Sequence, residues 1–274
     1  MNDRILSQLL ELARAFDRVG LTPLICGGLG VFLSLCGRQK EVPLRMTNDI
    51  DLMLTQQQLS EQTNRNAIAE IITGTLDYRA RELGKYFMFE KDDGQRLDIL
   101  TQPIYNVAVD GFRAKIVPTR LHAYITEEAL FVEEDMKTIR LSDLIPGNKE
   151  AEELAVHVPS LTNFLILKLF AFDDRDSGPR RDDNQARAHA FDVYVLVTSA
   201  TQQDYETGIR FLARHSDSDV IRRAKEIVNN KFSSVDDTGW RRVLEAPSFY
   251  SNLRMEWKKQ RLNEAKGRLI RWFA

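Results

Sequence analysis

The run Asp49-Ile50-Asp51-Leu52-Met53-Leu54 sets two aspartates, one residue apart, at the head of an apolar stretch. Side chains alternate across a β-strand, so a strand here turns Asp49 and Asp51 to one face and Ile50 and Leu52 to the other. Like charges held this close repel, and an apolar setting makes it harder to ionise both. A divalent cation between the carboxylates relieves the conflict. Mg²⁺ suits the position, because it takes oxygen ligands and is held by one or two carboxylates plus substrate phosphates.

A third acid completes the pattern. Asp98, in the run Arg96-Leu97-Asp98-Ile99-Leu100, is also embedded in apolar β-type sequence, on a strand that would lie beside the first. Three carboxylates converging from two strands suit two metals, one activating an attacking hydroxyl and the other stabilising a leaving pyrophosphate. Asp98 would bind the first metal and help to deprotonate the nucleophile. Taken singly, each feature has a plainer reading: an acid in a strand also arises from a salt bridge or a strand end.

At 274 residues, 43% hydrophobic and 28% charged, the chain has the composition of a globular protein with one large or two modest domains. Its formal net charge of -2 excludes a global field for nucleic acid or acidic membranes. The C-terminal stretch differs, with Arg254, Lys258, Lys259, Arg261, Lys266, Arg268 and Arg271 against Glu256 and Glu264. A local basic face can exist on a nearly neutral whole. No apolar run reaches membrane-spanning length, and the first residues lack the pattern of a signal peptide. Cys26 and Cys36 have no metal-type spacing and are expected to pack in the core. A cytoplasmic protein is the expectation.

Helical spacing of Ile5, Leu6, Leu9, Leu10, Ala13 and Phe16 predicts an opening helix that stops at Gly20. A short buried strand ending in Gly27 and Gly28 follows, then a helix to Gly37. Asp49–Leu54 is the second strand, and residues 55–76 read as one connecting helix. Apolar runs on both sides of Asp93-Gly94 predict a tight hairpin. Further strands are expected in the runs 114–117, 130–134 and 137–141. From Ser160 nearly everything reads helical, ending in a helix whose stripe is Leu253, Trp257, Ala265, Leu269 and Trp272. The pattern predicts an α+β chain: a mixed sheet with flanking helices over 1–150, then a helical domain over 151–274.

Gly27 and Gly28 stand between a strand and a helix, where glycine lets backbone approach a phosphate and the helix start offers free N–H donors. A tight turn is the plainer explanation of the pair. In combination, the order strand, Gly-Gly, helix, Asp-x-Asp strand and later Asp strand resembles the DNA polymerase beta-like nucleotidyltransferase superfamily. More closely, residues 45–52 (RMTNDIDL) and the helical runs 165–172 and 187–196 resemble the AbiEii-type nucleotidyltransferases, the toxins of type IV toxin–antitoxin systems. The resemblance covers roughly 21–100 and 160–196. The interval from Gly28 to Asp49 is longer than the superfamily pattern, as if residues 37–44 were an inserted loop.

The resemblance implies Mg²⁺ or Mn²⁺ on Asp49, Asp51 and Asp98, and a helical domain that closes a nucleotide cleft. It implies that Lys168 reaches the triphosphate of a bound nucleoside triphosphate and that Asp192 orients it or the base. Read from their own neighbourhoods, Lys168 and Asp192 are opposite charges in apolar helices and suit an ion pair stapling the two. Arg45 and Thr47, just before the aspartates, are in position to contact phosphate; Arg38 and Lys40 are weaker candidates. Arg187 and His189 are near enough in sequence to share the cleft, His189 reading as an ordinary polar helix residue. The implied acceptor is a tRNA 3′ end, and a toxin role implies a cognate antitoxin. Alternatives are a small-molecule (aminoglycoside-type) or protein nucleotidyltransferase, and a non-catalytic nucleotide-binding module.

Overall fold

The alternation at Asp49–Leu54 is realised as a strand at the heart of a mixed sheet. The computed structural model describes residues 3–38, 42–45, 47–82, 85–103 and 108–274. Two compact units result: Met1–Cys36 with Met46–Ser160, and Gly37–Arg45 with Leu161–Ala274.

In the first unit the helices are α1 (Asp3–Asp17), α2 (Gly27–Leu35), α3 (Gln56–Ser60) and α4 (Gln62–Glu70). The strands are β1 (Leu24–Ile25), β2 (Asp49–Leu54), β3 (Arg79–Ala80), β4 (Met88–Glu90) and β5 (Arg96–Thr101). They continue with β6 (Ala108–Asp110), β7 (Arg113–Lys115), β8 (His122–Ile125), β9 (Lys137–Arg140) and β10 (Ala155–Val158). Among the described residues these make one sheet in the order β6-β7-β8-β5-β2-β1-β10-β9, with β4 also pairing β5 and β3 pairing β4. Strands β2 and β5 are parallel neighbours, and β1 runs antiparallel to β2.

The face opposite the aspartates is core. Ile50, Leu52, Leu54, Leu97 and Ile99 are fully buried, as are Leu9 and Phe16 of α1. Burying each such side chain contributes about 1.5–3 kcal/mol, enough to fix the register: a slip of one residue would carry Ile50 and Leu52 out and the acids in. Helix α2 is buried through Leu29, Val31, Leu33 and Leu35, so it lies nearly surrounded by the fold. The expected hairpin is present as antiparallel β4 and β5.

Several local expectations are corrected. Residues 55–76 are not one helix. A capping box of Thr55 and Gln58 starts α3, and Glu61 is extended and ends it. Helix α4 then widens into a π-turn over Ile71–Thr75. Residues 130–134 form turns after a 3₁₀ turn at Glu127–Ala129 rather than a strand. Ala129 and Val132, three apart, are the buried pair there, which is the period of such a turn and not of a strand. Cys26 is buried but Cys36 is exposed.

The second unit holds α5 (Leu161–Asp176), α6 (Asp183–Ser199), α7 (Gln202–Arg214), α8 (Asp219–Lys231), α9 (Thr238–Leu244) and α10 (Met255–Phe273). Phe172 and Trp240 each meet Phe232 edge-on at its centre. The Trp240 Nε1–H donates to the Phe232 carbonyl at 2.8 Å. Trp272 of α10 donates to Thr162 of α5 across Gly208 of α7, where a Cβ would overlap both. The predicted stripe of the last helix divides. Ala265, Leu269 and Trp272 are buried, whereas Leu253 precedes the helix and Trp257 is exposed.

The 37–45 segment packs with these helices although it lies in sequence between α2 and β2. Arg38 donates to Asp204 at 2.6 Å and to the Ser199 carbonyl at 3.1 Å. That pairing makes Arg38 a tether of this segment to α7. Lys40 lies outside the described residues.

Candidate active site

Parallel pairing of β2 and β5 sets Asp51 in register with Asp98 and Asp49 in register with Arg96. Register partners on neighbouring strands project to the same side, and Asp49 lies two residues from Asp51, so the three carboxylates share one face. All three are half-buried. Asp98 is the one most at odds with its setting. Its Oδ1 is enclosed with no hydrogen-bond partner. Burial, and next the charge of Asp49, push its carboxyl up to about 6, although Arg81 and Arg96 pull the other way.

Asp49 has a local support: the Thr47 hydroxyl donates to its Oδ1. Asp51 is set by the glycine turn. The Cys26 N–H donates to the Asp51 carbonyl at 2.8 Å, which brings the start of α2 beside β2. Gly27, the first residue of α2, has φ +60, and a Cβ there would coincide with the Asp51 carboxylate. The space that glycine opens is therefore occupied by the Asp51 side chain. Gly28 lies in the first turn of α2, half-buried.

These residues fit a hard cation, because the donor set is all carboxylate and one enclosed oxygen is uncompensated. They are not drawn tightly together: among the described residues no three His, Cys, Asp or Glu side chains gather as a metal cluster. Mutual repulsion among like charges favours such a spread arrangement.

A second charged group lies within the helical unit. Lys168 of α5 and Asp192 of α6 form an ion pair at 2.7 Å, each side chain 5% exposed. Arg45 reaches the same Asp192 oxygen at 3.3 Å. Burial works to raise the Asp192 carboxyl, but Lys168 and Arg45 outweigh it and hold the group below its ordinary value. His189, one helical turn before Asp192, joins the cluster with its Nδ1 enclosed and unpartnered. Burial, then the neighbouring Lys168, push its imidazole down to about 3, so it is neutral at physiological pH.

His189, expected as an ordinary polar helix residue, is thus an enclosed imidazole that feels the Lys168–Asp192 charges. Its spacing of three from Asp192 in an apolar helix was the available signal. Arg187 instead donates to Asn184 at 2.7 Å and stands outside the group. The expected Lys168–Asp192 ion pair is present, with Arg45 as a third member.

A scan against protein families matches residues 25–261 to the family described as nucleotidyl transferase AbiEii toxin, type IV TA system. The match spans the Asp49, Asp51 and Asp98 face, the cluster on α5 and α6, and the sequence between them. Searches of curated proteins and of solved structures gave no match. Among the described residues no helix is long and apolar enough to cross a membrane. With most of the chain matched, and with the acid-bearing strands in the order the family resemblance requires, this protein belongs to the AbiEii family of nucleotidyl transferase toxins of type IV toxin–antitoxin systems.

Proposed function

We propose that this protein transfers a nucleoside monophosphate from a nucleoside triphosphate to the 3′ hydroxyl of an RNA, a tRNA end being the acceptor. The acceptor oxygen forms a bond to the α-phosphorus, the bond from that phosphorus to the bridging oxygen breaks, and pyrophosphate leaves. The observation that carries this reading is the β2–β5 register, which faces Asp51 to Asp98 and keeps Asp49 on the same side.

Asp49, Asp51 and Asp98 would hold Mg²⁺ or Mn²⁺. When bound, the metal supplies Lewis-acid stabilisation of charge on the phosphates and lowers the pKa of a coordinated hydroxyl. The protein's own groups do the rest. Asp98, with an enclosed oxygen and no competing donor, accepts the proton from the acceptor hydroxyl. Thr47 steadies Asp49, Gly27 leaves the room that the Asp51 carboxylate fills, and Gly28 in the first turn of α2 would let a phosphate approach the helix start. Lys168 and Arg45, two cations sharing one carboxylate, leave the helical cluster with a net positive charge suited to a triphosphate. Asp192 orients them.

A tRNA blocked at its 3′ end could not be aminoacylated, which would arrest growth in the cytoplasm where translation runs. A cognate antitoxin is the partner that the family membership suggests. The test is incubation of purified protein with tRNA, each of the four labelled nucleoside triphosphates and either Mg²⁺ or Mn²⁺. Label is expected on RNA with at least one nucleotide, and Asp49→Ala should lower transfer by about a thousandfold or more, a loss of roughly 4 kcal/mol in transition-state stabilisation, with the fold retained. Absence of label under every combination would overturn the reading.

A further inference from the structure

The last helix carries an aromatic ring and cations that neither the fold nor the acid face uses. From Arg254 to the C-terminus seven basic side chains stand against Glu256 and Glu264, in a chain of net charge -2. Helix α10 packs through Leu262, Ala265, Leu269, Trp272 and Phe273. At 100° per residue Trp257 lies about a third of a turn off the centre of that stripe. It is 56% exposed, whereas Trp240 and Trp272 are 0% and 2% exposed. Leu253 and Met255 are also exposed, alternating with Arg254 and Glu256 along the sequence.

Cations surround Trp257 in the sequence. Arg254 and Lys259 are exposed and Lys258 is half-buried. Among the described residues none of the three side chains has an acidic partner, whereas Arg261 pairs with Glu264 at 3.2 Å. Helix stability does not explain this placement, because the first turn is the positive end of the macrodipole, where cations are unfavourable. Core packing does not explain a large exposed indole. An aromatic face among unpaired cations is the combination that single-stranded nucleic acid uses, with bases stacking and phosphates neutralised. An acidic protein would satisfy the cations without calling for a flat ring.

We infer that residues 253–261 form a docking surface for a single-stranded stretch of the RNA acceptor. Trp257 stacks on an unpaired base, and Arg254, Lys258 and Lys259 neutralise phosphates. The assignment rests on the reading of the acceptor as RNA, and it adds a place of contact remote in sequence from the three acids.

The test titrates the full-length protein, without nucleotide, with tRNA and with an unstructured oligoribonucleotide, following tryptophan fluorescence in the unsubstituted protein and the anisotropy of end-labelled RNA for it and every variant. Since Trp257 is the exposed one of three tryptophans, both RNAs should quench its emission and shield it from iodide. Trp257→Ala should weaken binding about tenfold, and Trp257→Phe should restore most of it, which a merely structural role would not do. The triple variant Arg254→Gln, Lys258→Gln, Lys259→Gln should weaken binding and make the slope of log K against log salt shallower by about two. Affinity unchanged within twofold in both the alanine and the glutamine variants would overturn the inference, and the patch would then belong to a protein partner. Transfer to RNA with Trp257-independent binding removes the surface but leaves the transfer reading. Trp257-dependent binding without any transfer removes the transfer reading alone.

Discussion

Two groups of buried charge in this protein are solved in opposite ways. On β2 and β5 three carboxylates share a face, and Asp98 keeps an enclosed oxygen with no donor. On α5 and α6 a single carboxylate, Asp192, is held by Lys168 and Arg45. The environment consequently raises the Asp98 carboxyl to about 6 and lowers that of Asp192. Burial disfavours charge at both places; the neighbouring charges differ, Asp49 adding to the cost at Asp98 and Lys168 and Arg45 relieving it at Asp192. The helical group balances its carboxylate with cations of its own chain. Asp98 is not so balanced, because Arg81 and Arg96 only partly offset its burial and the charge of Asp49, which is the condition of a site completed by a cation from solution.

That contrast can be broken by mutation. The largest stability effect is expected from Lys168→Met, which strands Asp192 beside one partly exposed arginine. Removing one member of a buried pair costs about 3–5 kcal/mol, whereas Lys168→Met with Asp192→Leu should recover much of the loss. Chemical denaturation of the single and double variants checks this. A double variant as unstable as the single one would mean that the pair is not the unit.

A smaller effect, roughly 2 kcal/mol, is expected for Gly27→Ala. Positive φ disfavours alanine, and the new methyl displaces the Asp51 carboxylate. Transfer activity should fall further than stability does, because the displaced group is one of the three acids. A fall in stability with full activity would separate Gly27 from the site.

The smallest effect has the opposite sign. Asp98→Asn removes a charge that the folded state resists, and should stabilise the metal-free protein at pH 7 by about 1 kcal/mol while abolishing transfer. The pH dependence follows from the raised carboxyl. Between the ordinary aspartate value and about 6 the folded state binds more protons than the unfolded state, so Asp98 makes stability fall as pH rises through that window. The variant should lose that slope. Asp192, whose value is depressed, contributes stability that is present above the ordinary aspartate value and lost as pH falls through the lower folded one. Denaturation midpoints measured from pH 3 to 8 read both slopes, and an unchanged acid-side profile in Asp98→Asn would contradict the assignment.

Much of the acid site was legible because strand periodicity is local. Alternation in Asp49–Leu54 and Arg96–Thr101 set which side chains faced the core, and apolar burial then held the register. Other strands were harder to see. Val156 and Val158 of β10 alternate inward, but the strand is short and lies where the sequence turns helical, and it finds its place only by pairing with β1 and β9. Residues 130–134 have strand-like composition, yet the burial of Ala129 and Val132 follows a turn. Helix α9 is seven residues, too short to declare itself by period.

The amino-acid order by itself determined the alternation that puts three acids on one side of two strands, the glycines at a strand-to-helix junction, and the opposite charges in two apolar helices. Those depend on residue spacing over a few positions, which backbone geometry converts directly into facing. Tertiary structure alone decided that Asp51 meets Asp98 across a parallel pair, that the segment carrying Arg38 and Arg45 packs with the helices, that His189 joins Lys168 and Asp192, and that Trp257 stays in solvent while Trp272 does not. Each of these depends on the packing of segments distant along the chain. It is selected by which faces bury together, and no local pattern encodes that choice.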